Sequence, residues 1–152
     1  MNSRFAVAIH TLAYLAHRGE TPASSDVVAE SVSTNPVVIR RLIGALRRAG
    51  LVSTQAGRGG GFTLARPLAE ITLLDIYRAV EERELIPLPD AANRHCPVGR
   101  EVAAVLLPYC TEAERAVEHY LGGVTLREIV RKIEKRMPAC KATNPSRRAR
   151  TR

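Results

Sequence analysis

Residues 35–62 constrain the fold of this chain more than any other segment. The segment opens with Asn-Pro-Val-Val-Ile-Arg-Arg-Leu and closes with Gly-Arg-Gly-Gly-Gly-Phe. Asn35 is a favourable N-cap, and Pro36 fits the first helical position because an N–H there would have no intrahelical partner. Apolar residues then recur at helical spacing at Ile39, Leu42, Ile43 and Leu46. The pattern predicts a short basic helix with one buried stripe.

A glycine-tipped hairpin is predicted directly after this helix. Short strands at Leu51–Gln55 and Phe62–Ala65 flank the turn Gly57–Gly61. Upstream of the basic helix, Ser24 is a favourable N-cap for another helix over Ser25–Val32. Two closely spaced helices followed by such a hairpin are the arrangement of a winged helix-turn-helix, whose second helix enters the major groove of DNA.

Charge is distributed unevenly along the chain, whose net charge is +8. Residues 1–66 hold eight Arg and three acidic residues, whereas residues 141–152 hold five basic residues and no acidic one. The stretch between them is slightly acidic. This distribution predicts a DNA-binding winged helix over residues 1–67, a linker helix and dimerisation helices over residues 68–140, and a disordered basic tail over residues 141–152.

Composition limits the class of protein. Hydrophobic residues make up 45% of the chain but aromatic residues only 4%, which favours an aliphatic core of packed helices. No apolar run approaches the roughly 20 residues that a membrane-spanning helix needs. The three cysteines are an odd number in a chain with no recognisable export signal. These features predict a cytoplasmic location and no membrane partner.

The remaining elements are predicted to be mostly helical. The first helix covers about Asn2–His17, and a capping-box pattern at Thr72–Asp75 begins another that ends near Glu84. A loop over Leu85–Asn93 then leads into a long helix over Pro97–Leu121.

Two features mark the end of the chain. Pro108 lies inside the long helix and predicts a kink or a break, with Thr111 as a new N-cap. A second capping-box pattern, Thr125–Glu128, begins a last helix that ends near Met137. The predicted fold class is therefore mainly α with a small β-hairpin, in which a winged helix-turn-helix is joined to a long C-terminal dimerisation helix.

The basic helix supplies most of the candidate DNA contacts. A helix that enters the major groove by its N-terminal end presents its first turns to the bases, and later turns reach the phosphate backbone. At the hairpin tip, glycines let backbone N–H groups approach phosphates, and an arginine can enter a minor groove. The candidate DNA-binding residues are Ser24, Asn35, Pro36, Val37, Val38, Arg40, Arg41, Arg47, Arg48, Arg58, Gly59, Gly60 and Gly61. The alternatives are a solvated basic helix face and a plain flexible hairpin.

Cys96 is a candidate redox or effector residue. It directly precedes Pro97 at the start of the long helix, where aligned N–H groups favour a thiolate. Arg94, His95 and Arg100 add positive charge nearby. Such a thiol can respond to a small oxidant or electrophile.

Cys110 is the second candidate thiol. On an unbroken helix its sulfur would lie about 20 Å from that of Cys96, so only a break at Pro108 or pairing across a dimer would join them. The alternative is that Cys110 is a small core residue and Cys96 an unreactive loop thiol. The set His95, Cys96, Cys110 and His119 fits no zinc-ligand spacing, so no metal site is predicted. No Ser/His/Asp set or carboxylate pair indicates an enzyme.

The segments Asn35–Val52, Gly59–Pro67 and Ile71–Val80 resemble the Rrf2 family of bacterial winged-helix regulators. This family includes the iron–sulfur cluster regulator, the nitric-oxide-sensing repressor and the cysteine-metabolism repressor. The resemblance covers about Asn2–Met137. It implies a homodimer held by the long C-terminal helix, bound to a palindromic operator with one recognition helix and one wing in each half-site.

Two features depart from the family pattern. Ala56 occupies a position where the family wing often has Arg, so the wing is expected to contact phosphates more than to read a minor groove. Cluster-binding members have three cysteines at six-residue steps and a histidine soon after. Here the positions aligned with the later ligands are Val98, Ala104 and Leu107. An iron–sulfur cluster is therefore not expected, and no cofactor is predicted.

The predicted function is a sequence-specific transcriptional regulator, a homodimeric repressor on duplex DNA that responds to thiol oxidation through Cys96. One alternative is a winged-helix protein-interaction module whose basic face binds an acidic partner. Salt-dependent, sequence-selective binding to duplex DNA distinguishes the two. Another alternative is a regulator whose non-covalent small-molecule effector binds between the wing domain and the long helix.

Overall fold

The computed structural model describes residues 4–81, 86, 88 and 95–137. The predicted tail over residues 141–152, Cys140 and most of the predicted loop Leu85–Asn93 lie outside these residues. Within them the chain forms six α-helices, one two-stranded hairpin and one short 3-10 helix. In chain order the elements are α1 (Arg4–Arg18), α2 (Ser25–Val32), α3 (Pro36–Arg48), β1 (Val52–Gln55), β2 (Gly61–Leu64), a 3-10 helix (Leu68–Glu70), α4 (Leu73–Val80), α5 (Pro97–Gly122) and α6 (Leu126–Arg136).

The caps of α2 and α3 form as predicted. The Ser24 Oγ accepts a hydrogen bond from the Val27 N–H at 3.4 Å, and the Asn35 Oδ1 accepts one from the Val37 N–H at 2.8 Å. Between the helices Ser33 adopts a left-handed conformation with φ of 59°, which reverses the chain after α2. The two helices are therefore separated by a tight turn, as in a helix-turn-helix.

The capping box of α4 also forms as predicted. The Thr72 Oγ1 accepts from the Asp75 N–H at 3.1 Å, and the Asp75 Oδ2 accepts from the Thr72 N–H at 2.9 Å. The predicted extension to Glu84 is wrong at its first step. Glu81 has φ of −95° and ψ of 121°, so the helix ends at Val80 and the rest of the extension lies outside the described residues.

Only half of the second predicted capping box forms. The Thr125 Oγ1 accepts from the Glu128 N–H at 3.4 Å, whereas the Glu128 carboxylate contacts the Lys132 Nζ at 2.6 Å. The start of α6 is held instead by a backbone bridge between Thr72 and Thr125. This bridge joins the starts of α4 and α6, which lie far apart along the chain.

The predicted break at Pro108 is wrong. Helix α5 continues from Pro97 to Gly122 without interruption, although Pro108 has no N–H to give to the carbonyl one turn earlier. Thr111 does not cap a new helix. Its Oγ1 donates a hydrogen bond to the carbonyl of Leu107, one turn earlier in the same helix, at 2.9 Å.

The core is one continuous cluster of aliphatic side chains. Its largest fully buried members include Leu12, Leu15, Ile39, Leu46, Leu51, Ile71, Ile76 and Leu126. These residues lie on both sides of the predicted domain boundary at residue 67, so α4 and the start of α6 share the core of the winged helix. The functional division at that boundary stays a prediction. No helix among the described residues is long and apolar enough to cross a membrane.

Candidate nucleic-acid interface

Helix α3 lies with one face in the core and the opposite face in solvent. Ile39, Leu42 and Leu46 are at most 3% exposed, and they hold the helix against the other elements. The first turn is further held by its cap and by a hydrogen bond from the Arg40 Nε to the Pro36 carbonyl at 3.3 Å. The free face of α3 is therefore presented on a rigid element.

That free face carries the predicted basic residues. Arg40, Arg41, Arg47 and Arg48 are all exposed, and none of them forms an ion pair with another described residue. Helix α3 contains no acidic residue. The positive charge on this face is therefore available to a polyanion.

The first turn of α3 adds two apolar side chains to this surface. Val37 is 48% exposed and Val38 46% exposed. The Asn35 side-chain oxygen already accepts the cap hydrogen bond from the Val37 N–H. The first turn therefore offers mainly methyl groups, which suit contact with the methyl group of thymine.

A cavity of about 350 Å³ lies beside α3, between that helix and α1. The cavity is lined by Arg4 and Arg41, together with Val7, Val38 and Thr34. Sequence reasoning did not select Arg4, because its position next to α3 depends on how α1 crosses the helix pair. Arg4 joins the candidate contacts on this geometric ground.

The hairpin forms the wing. Its strands pair antiparallel from Val52 opposite Leu64 to Gln55 opposite Gly61, and each strand end is within one residue of the predicted one. The second strand of the wing is anchored near the turn, because Phe62 and Ala23 exchange backbone hydrogen bonds at 2.9 and 3.1 Å. Ser24, the cap of α2, therefore lies beside the second strand of the wing.

The glycines of the wing are required by the chain itself. A Cβ at Gly60 would lie 2.2 Å from the Gln55 carbonyl oxygen, and one at Gly61 would lie 2.6 Å from the Ala23 carbonyl oxygen. Gly59 has φ of 83°, a conformation that residues with side chains rarely adopt. The tip residue Arg58 is exposed. The glycine run thus shapes the turn and docks the wing, and its open tip leaves Arg58 accessible.

Cys96 occupies the N-cap of α5, as predicted. Its Sγ accepts a hydrogen bond from the Gly99 N–H at 3.4 Å. Arg100 does not simply add positive charge there, because its Nε contacts the Glu101 carboxylate at 3.0 Å. Arg94 lies outside the described residues.

Cys110 lies on the same unbroken helix and is half-buried. Because α5 is continuous, the sulfurs of Cys96 and Cys110 lie about 20 Å apart. A disulfide between them within one chain is excluded.

The Rrf2 family model, described as "Iron-dependent Transcriptional regulator", matches residues 1–132. This chain belongs to the Rrf2 family. Among its relatives, YwnA of Bacillus subtilis (strain 168), named as an HTH-type transcriptional regulator, is 38% identical over 131 residues, which are 86% of this chain and 96% of YwnA. The Rrf2 chain is a DNA-binding transcriptional regulator, and its relatives are regulators and not enzymes.

Solved structures agree with the Rrf2 fold. A crystal structure named for a DNA-binding protein has a TM-score of 0.69 and 36% identity, over 84% of this chain and 98% of that one. The T. potens IscR structure has a TM-score of 0.68 and 24% identity, over 92% and 93% of the two chains. The predicted fold class, mainly α with a winged helix-turn-helix hairpin, is confirmed.

The described residues do not suit an iron–sulfur cluster of the family type. They contain no group of three or more His, Cys, Asp or Glu side chains that could hold a metal ion. Val98, Ala104 and Leu107, the residues that the family resemblance aligns with the later ligands, have no donor atoms in their side chains. Cys96 and Cys110 are too far apart to bind one cluster within a chain.

Proposed function

We propose that this Rrf2 regulator acts in the cytoplasm as a homodimeric repressor on a palindromic operator. The observation that carries the proposal is the exposed face of α3, whose arginines have no acidic partner among the described residues. The winged-helix unit over residues 1–67 would bind DNA, and the helices over residues 68–140 would hold two copies together. A dimer bound at a promoter would repress transcription by blocking RNA polymerase. It would need no additional surface for contact with the polymerase.

Each candidate residue has a role in this proposal. Val37, Val38, Arg40 and Arg41 face the bases and adjacent phosphates from the first turns of α3. Arg47, Arg48 and Arg58 contact the phosphate backbone. Ser24, Asn35 and Pro36 hold the helix starts at the DNA surface, and Gly59, Gly60 and Gly61 bring the wing close to the backbone.

The DNA-binding role is tested by removing one guanidinium. Duplex DNA bound by the wild-type protein is first selected from a random pool. Arg41→Ala is then expected to weaken binding about 10-fold and to lower the slope of log affinity against log salt by about 1. Arg115→Ala, on the exposed surface of α5, is the matched control and should leave both quantities unchanged.

Two results would contradict the DNA-binding role of α3. The first is an affinity for the selected duplex that is equal in Arg41→Ala and Arg115→Ala. The second is a random pool from which no sequence preference emerges. The second result would favour the interaction module with an acidic protein partner.

The proposed dimer rests on α5. No residue of this 26-residue helix is buried in the single chain. Val98, Val105, Tyr109 and Tyr120 are between 61% and 73% exposed. Together with Ala116 they alternate steps of seven and four residues, so they lie along one face of the helix for about 33 Å. A second copy of the chain with the same stripe would cover this face.

A thiol response is the second proposed property, and the cap at Cys96 favours it. Its sulfur, at a helix N-terminus, lies in a setting in which thiols are commonly reactive. The sulfur would attack one oxygen of a hydroperoxide, the O–O bond would break, and the sulfur would become sulfenic acid. The peroxide is reduced to water or an alcohol, which takes up the thiol proton.

Oxidation at this cap would alter the start of α5. The added oxygen disturbs the hydrogen bond from the Gly99 N–H. The helix is tied to α4 by the ion pair between Arg78 and Glu118 at 3.0 Å, and α4 shares the core with α3. The change would shift the population between dimers that fit the operator and dimers that do not.

The thiol response is tested with two cysteine variants. Cys96→Ser keeps a favourable N-cap, so α5 should still form. Operator affinity is measured with and without peroxide or diamide, and Cys110→Ser is the matched control. Wild type and Cys110→Ser should lose affinity on oxidation, whereas Cys96→Ser should not. Equal responses in all three proteins would refute a role for Cys96.

A further inference from the structure

Gly44 occupies an unusual place in α3. It lies in the middle of the helix Pro36–Arg48, where glycine destabilises the helix relative to alanine. At 100° per residue it shares one stripe with Val37, Arg41 and Arg48, opposite the buried residues. The chain thus keeps a helix-weakening residue at the centre of its outward, basic face.

Nothing in the described chain requires a glycine at this position. The nearest atom to a Cβ built at Gly44 would be the Arg48 Nη1 at 3.8 Å, an ordinary van der Waals distance at the end of a flexible side chain. Gly44 also lacks the positive φ of the turn glycines. Gly60 and Gly61 differ from Gly44 in the first respect, because their added Cβ atoms would collide with backbone oxygens.

The surroundings of Gly44 indicate what approaches it from outside. Arg41 lies one turn before it and Arg48 one turn after it on the same stripe, and both guanidinium groups are without an acidic partner among the described residues. Gly44 itself is half-buried, and two such cations on either side of a helix position without a side chain suit a polyanionic chain laid against the helix. Two phosphates would contact the arginine side chains, and the sugar between these phosphates would pack against the helix backbone at Gly44.

We propose that Gly44 is the point at which the sugar–phosphate backbone of DNA comes closest to α3. This inference rests on the proposed DNA-binding role of α3. A Cβ at this position would hold the DNA farther from the helix. The flanking guanidinium groups would then lose hydrogen-bond distance to their phosphates. Gly44 is thus a positioning residue that sets how deeply the helix sits.

The full-length variant Gly44→Ala separates this role from a structural one. Its melting temperature should rise by about 2 °C, because alanine favours the helix. Its affinity for the duplex selected by the wild-type protein should fall about 10-fold, and its affinity for a scrambled duplex should fall as well, since backbone contacts carry no sequence information. Gly122→Ala is the matched control, since its added Cβ would meet only the Leu74 side chain at 3.6 Å.

Three results would overturn the inference. A lower melting temperature for Gly44→Ala would show that the fold itself needs this glycine. An unchanged affinity for DNA would show that nothing approaches closely there. A loss confined to the selected duplex would place base edges, and not the backbone, against Gly44.

Arg41→Ala, measured in parallel, distinguishes a failure of the inference about Gly44 from a failure of the proposed DNA-binding role of α3. If Arg41→Ala weakens binding and Gly44→Ala does not, the inference about Gly44 fails while the DNA-binding role of α3 stands. If neither variant changes the affinity, both fail together.

Discussion

Thr11 shows how a single polar atom can count against stability. The residue is fully buried in the core on α1, and its Oγ1 has no hydrogen-bond partner among the described residues. A buried hydroxyl without a partner costs roughly 1–3 kcal/mol, because it gives up its bonds to water. An apolar residue of nearly the same shape at this position should therefore make the folded protein more stable.

Thr11→Val is expected to raise the free energy of unfolding by about 1 kcal/mol. The methyl group that replaces the hydroxyl needs no hydrogen bond and fits a similar volume. Urea denaturation should give a higher midpoint at an unchanged slope. A lower midpoint would show that the Thr11 hydroxyl is satisfied after all, by a group outside the described residues or by water.

The apolar first turn of α3 leads to a prediction about operator sequence. Val37 and Val38 are about half exposed, and we expect them to contact thymine methyl groups in the major groove. Replacing the contacted thymine by deoxyuridine removes one methyl group and should weaken binding about 4-fold. In a protein with Val37→Ala or Val38→Ala, the same replacement should leave the binding affinity unchanged.

The measurement is a scan of single thymine-to-deoxyuridine replacements across the selected duplex, with each protein. Replacements outside the half-sites serve as controls and should have no effect. If no thymine in either half-site is sensitive, the two valines do not read methyl groups.

At the level of secondary structure elements, local chemistry decided the helix starts. Ser24, Asn35 and Thr72 cap their helices as the sequence predicts, because a cap depends on residues within one turn. The end of α4 and the continuity of α5 were predicted wrongly. Proline weakens a helix by a finite amount, and the remaining backbone hydrogen bonds of the 26-residue α5 keep it continuous.

The wing depends on its anchor to the linker between α1 and α2. Gly61→Ala would place a Cβ against the Ala23 carbonyl and should separate Phe62 from Ala23. The expected results are a loss of about 1–2 kcal/mol in the free energy of unfolding and weaker binding to the selected duplex. Ser53→Ala, at an exposed position of β1, is the matched control and should change neither quantity. Wild-type DNA affinity in Gly61→Ala would show that the anchored wing contributes nothing to binding.

At the scale of the whole molecule, the single chain leaves an apolar stripe of its longest helix exposed. A helix of 26 residues with no buried side chain gains little from packing, although packing supplies most of the stability of helices in proteins. The exposed stripe on α5 also exceeds what isolated surface residues explain. Both observations fit an assembly in which α5 lies between two copies of the chain.

Tyr109→Glu is expected to convert the dimer to a monomer at micromolar concentration, because it places a charge in the middle of the apolar stripe. Sedimentation analysis should show the change in mass. Operator affinity should fall at the same time, since each monomer contacts only one half-site. Arg115→Glu, on another face of the same helix, is the matched control and should remain dimeric. A wild-type protein that sediments as a monomer would contradict the proposed dimer directly.

The sequence by itself determined the helix caps, the hairpin position, the buried stripe of α3 and the family. The caps, the hairpin and the stripe each depend on residues within a few positions of one another. The family depends on motifs that can be recognised in the sequence alone. The arginines of α3 could be selected in the same way, because helical spacing alone puts them opposite the apolar stripe.

Only the tertiary structure decided which parts of the chain share a core and which surfaces stay open. The bridge from Thr72 to Thr125, the anchor of the wing at Ala23 and the place of Arg4 beside Arg41 join residues that are far apart in sequence. That a Cβ at Gly44 would meet only the flexible end of the Arg48 side chain likewise could be seen only in the folded chain. Such contacts depend on how all the elements pack together. They therefore cannot be predicted from sequence patterns that span only a few residues.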